Sequence, residues 1–319
     1  MGVKFLPEVT CIGILVADII GAPVIEYPEA GRLVTVDSIG LYTGGCAVNT
    51  AIALSRLGIK TGLIGKVGCD YLGEFLIDSL KKEGVDTGGI VRTDVKNTSS
   101  TIVIVDKSGE RSFIHYVGAN AEFGLDDMNF ELLKGNKIVH IAGSFLMPKF
   151  DGIETAKALK RIKEMGVTTS VDTAWDASGR WLKTIEPCLP YIDIFIPSID
   201  EAKMISGEEK PEKIAEFFMS YGIKTVVIKM GSAGSFGCNK QEQIYMPPFK
   251  VEVKDTTGAG DSFVAGFLTG IVREFSLEES LELGNAAGAL CVTSYGASAG
   301  IKSLADTLEF IKRHKDGEI

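Results

Sequence analysis

Strand-length apolar runs alternate with helix-length stretches along most of the chain, and this alternation restricts the fold more than any other feature. Cys11 to Ala17 and Gly62 to Gly65 are continuous apolar runs, while Ala47 to Leu57 and Tyr71 to Glu83 carry the helical pattern. Lys137 to Ala142, Thr168 to Asp172, Ile192 to Ile196 and Thr225 to Lys229 read as further strands, with Ile153 to Met165 and Pro211 to Tyr221 as helices between them. Runs that are continuous rather than alternating imply strands covered on both faces. The pattern therefore predicts βαβ units and the α/β class: a doubly wound, mostly parallel sheet flanked by helices. With 319 residues, 45% of them hydrophobic, the chain can bury one large core. We read residues 1–319 as a single unit.

Two segments break the rhythm. Val24 to Leu41 and Thr98 to Tyr116 look like β-ribbon; in the second, Thr-Ile-Val-Ile-Val and Arg-Ser-Phe-Ile-His-Tyr flank the turn Lys107-Ser108-Gly109-Glu110. Insertions at about 22–42 and 97–117 are thus expected to form a small sheet projecting over a cleft. On such a hairpin, Lys107 and Arg111 read as solvated charges, although they can also meet a phosphorylated substrate.

Charge and cysteine usage exclude several classes. A net charge of −9 offers no basic stripe for a phosphate backbone, so no nucleic-acid partner is expected. The six cysteines are scattered without a Cys-x-x-Cys pair and the three histidines are far apart, which favours reduced thiols in a cytoplasmic protein over disulfides or zinc. The run from Cys11 to Ile20 is interrupted by Asp18 and is too short to span a bilayer, and the N-terminus lacks a basic region and a cleavage site. No membrane association is expected.

The chemistry concentrates at Asp255-Thr256-Thr257-Gly258-Ala259-Gly260-Asp261-Ser262, which runs into the apolar stretch Phe263 to Phe275. Peptide N–H groups at a helix start lack intrahelical acceptors and carry partial positive charge, so an anion is their natural ligand. Gly258 and Gly260 let the backbone approach a phosphate, and Asp261 stands where a carboxylate can take a proton from an alcohol. The same residues also suit a plain turn with Asp261 as a helix cap.

This run closely resembles the signature of the ribokinase-like (PfkB) carbohydrate kinases, and other motifs of that family follow in order along almost the whole chain. Thr43-Gly44-Gly45-Cys46-Ala47-Val48-Asn49 resembles the sugar-contacting N-terminal motif, implying Gly44, Gly45 and Asn49 as substrate ligands. Asp18, read as the end of the first core strand, matches a sugar-binding aspartate. Gly118-Ala119-Asn120-Ala121 resembles a substrate-proximal run, which adds Asn120. A turn into the core is the plainer alternative. Gly65 to Asp70 and Gly73 match the family pattern in a mainly structural role.

On the nucleotide side, Lys229-Met230-Gly231-Ser232-Ala233-Gly234 resembles the nucleotide loop, with Lys229, Gly231, Ser232 and Gly234 implicated. Asn285 is implied near adenine. Its small neighbours Ala286, Ala287, Gly288 and Ala289 leave room for a flat ligand or pack closely without one. Pro197-Ser198-Ile199-Asp200-Glu201 resembles the Asn-x-x-Glu magnesium motif with Ser198 in place of the asparagine; Glu201 retains the means to hold Mg²⁺ through water, while Ser198 equally suits a capping box. The resemblance further implies Asp255 and Thr257, with carbonyls near residues 292–298, as ligands of an activating monovalent cation such as K⁺. It also implies a lid made by the small sheet, used for homodimer contacts.

The chain has no Gly-x-x-x-x-Gly-Lys-[Ser/Thr], no His-Arg-Asp or Asp-Phe-Gly set, and no third glycine of a dinucleotide fingerprint. The expectation is an ATP-dependent sugar kinase with Asp261 as base and the Gly258, Ala259 and Gly260 amides as the anion site. A nucleoside kinase of the same fold and a non-catalytic sugar sensor are the alternatives. The sequence leaves the acceptor alcohol open.

Overall fold

The computed structural model describes residues 6–107, 109–294, 296–297 and 299–317. The chain opens with β1 (Val9–Gly13), every residue of which is buried, and passes into β2 (Val16–Val24) and β3 (Ser38–Gly44). Helix α1 (Cys46–Arg56), β4 (Thr61–Gly68), α2 (Tyr71–Lys82) and β5 (Asp86–Thr93) follow. A hairpin of β6 (Ser100–Asp106) and β7 (Arg111–Tyr116) separates these from β8 (Ile138–Ser144), α3 (Ile153–Glu164) and β9 (Thr168–Thr173). The chain continues through α4 (Leu182–Ile185), β10 (Ile194–Phe195), α5 (Ile199–Ser206), α6 (Pro211–Met219) and β11 (Thr225–Lys229). It ends with β12 (Ser235–Cys238), β13 (Gln243–Met246), α7 (Ala259–Val272), α8 (Leu277–Val292) and α9 (Leu304–Lys315).

Among the described residues the large sheet runs β13-β12-β11-β10-β9-β8-β1-β4-β5. Its pairs from β11 to β5 are parallel, and β12 alone runs against the rest, pairing antiparallel with both β11 and β13. Helices cover both faces, which is why successive strand residues are buried: Cys11 and Val227 face the α1/α7 layer, while Ile12 and Val226 face the α3/α6 layer. The chain moves outward from β1 in one direction through β4 and β5 and in the other through β8 and β9. The crevice beyond the carboxyl ends of β1 and β8 is thus a topological switch point, where ligands of open α/β sheets bind.

The second sheet, in the order β3-β2-β6-β7, corrects the strand boundaries expected near the N-terminus. The apolar run from Cys11 is not one core strand. The backbone leaves the large sheet after Gly13, and Val16 begins β2 of the small sheet; hydrophobicity does not mark the break because Val16 and Ala17 are still buried where the two sheets meet. Asp18 accordingly lies within a strand of the small sheet, and only β3 occupies the C-terminal part of the expected 22–42 ribbon. The second ribbon appears as expected, as β6 and β7. Register gives the small sheet two different faces. Tyr42, Asp18, Thr101 and His115 lie side by side across its four strands, and the next row along is Leu41, Ile19, Ile102 and Ile114.

Asp70 ties the sheets together. Its carboxylate caps α2 by accepting from Gly73 N–H at 2.9 Å, and it also accepts from Thr98 N–H and Oγ1, each at 2.7 Å, at the entry to β6.

Candidate active site

Helix α7 starts where the Asp255–Asp261 run turns. Gly258 caps it with φ 75°, and a Cβ there would collide with the Ala297 carbonyl, so both conformation and space require glycine. The first-turn amides of Gly260 and Asp261 have no intrahelical acceptor, as the geometry of any helix start dictates. The expected anion site changes in one respect: Ala259 N–H is spent on Thr256 O at 3.2 Å, inside the turn. A Cβ built on Gly260 would lie 3.6 Å from Lys229 Nζ, so the lysine from the end of β11 reaches to this turn.

Asp261 is surrounded by groups from three other elements, α1, β9 and β11. Asn49, one turn into α1, donates Nδ2–H to its Oδ2 at 2.8 Å, and the Cys46 thiol also bonds to it. Burial, aided by the nearby Asp172 charge, raises the Asp261 carboxyl to about 6 against the pull of Asn49 and Lys229. It is therefore ionised at neutral pH yet a far better proton acceptor than an ordinary aspartate. The Cys46 thiol, buried beside Asp261 and Asp172, is pushed well above its usual range and stays protonated.

Lys229 pairs with Asp172 Oδ2 at 3.5 Å; Asp172 Oδ1 accepts from Gly143 N–H at 2.5 Å. Burial works against the Lys229 charge, but Asp172, Glu201 and Asp261 outweigh it and its pKa is raised. Sequence reasoning did not single out Asp172. The available signal was an acid near the end of a buried strand, β9, that points to the carboxyl edge of the sheet. Glu201 sits in the first turn of α5, where Ser198 and Glu201 form a reciprocal capping box. Its Oε2 accepts from Ser198 N–H at 2.9 Å and from Thr173 Oγ1 at 2.8 Å. The carboxylate is thereby held rigid at the edge of the Lys229 cluster.

A cavity of about 430 Å³ separates the small sheet from the turn, lined by Asp18, Gly45, Thr101, His115, Arg111 and Thr257, among others. Burial raises the Asp18 carboxyl to about 6, opposed by the Thr101 hydroxyl, and Thr101 Oγ1 also lies 3.0 Å from His115 Nδ1. Gly44 has no side chain because a Cβ would overlap the Asp18 carboxylate, and Gly45 caps α1 with φ 92°. Arg111 departs from the expectation of a solvated charge. It crosses from β7 to Asp255 Oδ1 at 2.7 Å and also donates to Thr257 Oγ1.

The chain matches the pfkB family carbohydrate kinase pattern over residues 6–304. It is 31% identical to the ribokinase of Haemophilus influenzae, over 95% of this chain and 98% of that protein, and 30% identical to probable fructokinase-5 of Arabidopsis thaliana, over 92% and 96%. A putative ribokinase II of E. coli, solved in complex with ATP and Mg²⁺, superposes with a TM-score of 0.85 at 27% identity, covering 97% of this chain and all of that one. This chain belongs to the pfkB family of carbohydrate kinases. It is an ATP-dependent sugar kinase, and its fold is ribokinase-like.

In this pfkB kinase the residues expected on the nucleotide side divide into exposed and structural ones. Gly231 and Ser232 are exposed on a single turn after β11, open to a ligand, whereas Gly234 is buried with no room for a Cβ beside the Met246 carbonyl. Asn285 is buried, its amide donating to Met246 O at 3.2 Å and Pro247 O at 2.9 Å, so it pins the exit of β13. Ala286 and Ala287 pack without solvent contact, while Gly288 and Ala289 are partly open. Asn120 is likewise turned inward: it donates to Leu15 O at 3.0 Å and accepts from Leu15 N–H at 3.2 Å, clamping the passage from β1 to β2 instead of facing the cavity.

Proposed function

We propose that Asp261 accepts the proton of an acceptor hydroxyl as that oxygen attacks the γ-phosphoryl group of ATP in line. The Gly258, Gly260 and Asp261 amides and the Lys229 ammonium stabilise the charge on the transferring group. The observation that carries this reading is the juxtaposition of one carboxylate raised to about 6 with a glycine turn and a buried, charged lysine. Asp18, Gly44, Gly45 and Asn49 orient the sugar, with Asn49 also holding Asp261 at 2.8 Å. Gly231 and Ser232 meet the nucleotide. Glu201, rigid through Thr173 and Ser198, would hold hydrated Mg²⁺, which when bound neutralises phosphate charge.

The small sheet acts as the lid of the single unit, excluding water from the cavity on closure. Its outward row, with Ile114 61% and Ile102 47% exposed beside Ile39 at 73%, supports a homodimer through this face. Six free cysteines suit a cytoplasmic setting. A second reading, phosphorylation of a nucleoside, draws on the apolar Ile20, Val103 and Phe113 that line the cavity and offer a base a surface.

A coupled assay of ADP release over free sugars, ketodeoxy sugar acids, sugar phosphates and nucleosides tests both. Acceptor-dependent ADP release is expected with a member of one class. Release with none of them, under conditions where ATP binds, would remove the reading and favour a sensor.

A further inference from the structure

Asp255 and Thr257 were expected to hold a monovalent cation, and the structure fills that position differently. The Asp255 side chain is 2% exposed and its carboxylate is surrounded by donors: Arg111 and Thr257 N–H on Oδ1, at 2.7 and 2.8 Å, and Gly296 N–H on Oδ2 at 3.0 Å. Arg111 also donates to the Thr257 hydroxyl. The Val292 carbonyl, at the start of the loop expected to supply further oxygens, accepts from Lys254 N–H at 2.7 Å and Asp255 N–H at 3.2 Å. One carboxylate already neutralised by a guanidinium gives an alkali cation no net charge to bind and adds repulsion from Arg111.

We propose that the Arg111 guanidinium takes the place of a monovalent cation in this kinase, and that it is a positioning residue: it fixes the Asp255–Thr257 leg of the glycine turn from the small sheet. The geometry makes this a bridge between two bodies. Arg111 begins β7, in the same strand as the cavity residues Phe113 and His115, and Asp255 lies three residues before Gly258, whose amide belongs to the anion site. Docking of the small sheet and correct placement of the turn are then one event. A planar five-donor fork suits the two acceptors, a carboxylate and a hydroxyl, better than a flexible ammonium does.

The proposal rests on the kinase reading, so its test includes a readout free of turnover. Melting temperature and steady-state kinetics are measured in chloride salts of K⁺, Na⁺ and choline at equal ionic strength, for the wild type, Arg111→Ala and Arg111→Lys. The wild type is expected to show no K⁺-specific rise in melting temperature and turnover within about twofold across the salts, since exposed charge effects are equalised by ionic strength. Arg111→Ala is expected to lose about a hundredfold in kcat with a small change in sugar KM, because the turn is misplaced and not the sugar. In that variant K⁺ or added guanidinium should restore part of kcat, and K⁺ should now raise the melting temperature. Arg111→Lys should retain more activity than the alanine variant.

A K⁺-specific stabilisation or activation of the wild type would overturn the proposal, as would an alanine variant with unchanged kcat or with a loss that neither cation repairs. Should the alanine variant fail to fold, the wild-type melting series and the lysine variant carry the same two outcomes. A wild type without kinase activity on any acceptor bears on the function and leaves the melting series standing.

Discussion

Replacing Asp261 by asparagine should move stability and activity in opposite directions. In the folded protein the carboxyl is raised from 3.8 to about 6, so the native state binds its proton more tightly than the unfolded chain does. Protons bound in excess by the native state make stability fall as pH rises; the loss accrues between about pH 4 and about pH 6 and is complete above that. A shift of about two units corresponds to at most about 3 kcal/mol, since each unit is about 1.4 kcal/mol and part-exposure of the residue reduces the figure. Unfolding entropy scales with chain length, so for a chain of this size about 3 kcal/mol is worth about 4 °C. Asparagine keeps the size and still pairs with Asn49 after an amide flip, but it removes the buried charge. Thermal melts of wild type and Asp261→Asn at pH 8 and pH 4 are the assay, with turnover measured in parallel. The variant should melt higher at pH 8, approach the wild type at acid pH, and lose kcat by about two to four powers of ten. A variant that melts lower at pH 8, or that keeps turnover within about tenfold, would refute an enclosed, ionised base at this position.

Gly258→Ala places a Cβ against the Ala297 carbonyl at a φ of 75°; a drop in kcat of about a hundredfold with a lowered melting temperature is expected, and unchanged kinetics would remove the turn from the anion site. Asp172→Asn removes a negative charge that raises Asp261, so the acid limb of the kcat/KM profile, expected near pH 6 in the wild type, should move to lower pH; a limb that stays or moves up would sever the two groups.

Much of the main sheet was legible because βαβ units repeat a simple pattern: the strand ending at Lys229 and the helix following Gly45 fall where their apolar runs stand, and β9 ends one residue beyond the expected Asp172. The boundary between β1 and β2 was not legible, since both sides of Gly13 are buried and apolar although they belong to different sheets. The same limit hid two side chains of the site. Arg111 looked like a hairpin charge because its partner Asp255 is 144 positions away in sequence, and Asp172 looked like the end of a strand because Lys229 lies on β11.

The sequence by itself determined what depends on neighbouring residues: the periodicity that makes strands and helices, the glycines that make the turn before α7, and the presence of Asp261 at its start. Only the tertiary structure decided what depends on charges meeting from distant strands. It buried Asp261 beside the Asp172 charge and so raised its pKa to about 6 against the pull of Asn49 and Lys229, it turned Asn120 and Asn285 inward, and it put a guanidinium on Asp255. The physical reason is that hydrophobic periodicity is a local property of the chain, whereas electrostatic energy depends on separations and burial that exist only once the sheets have packed.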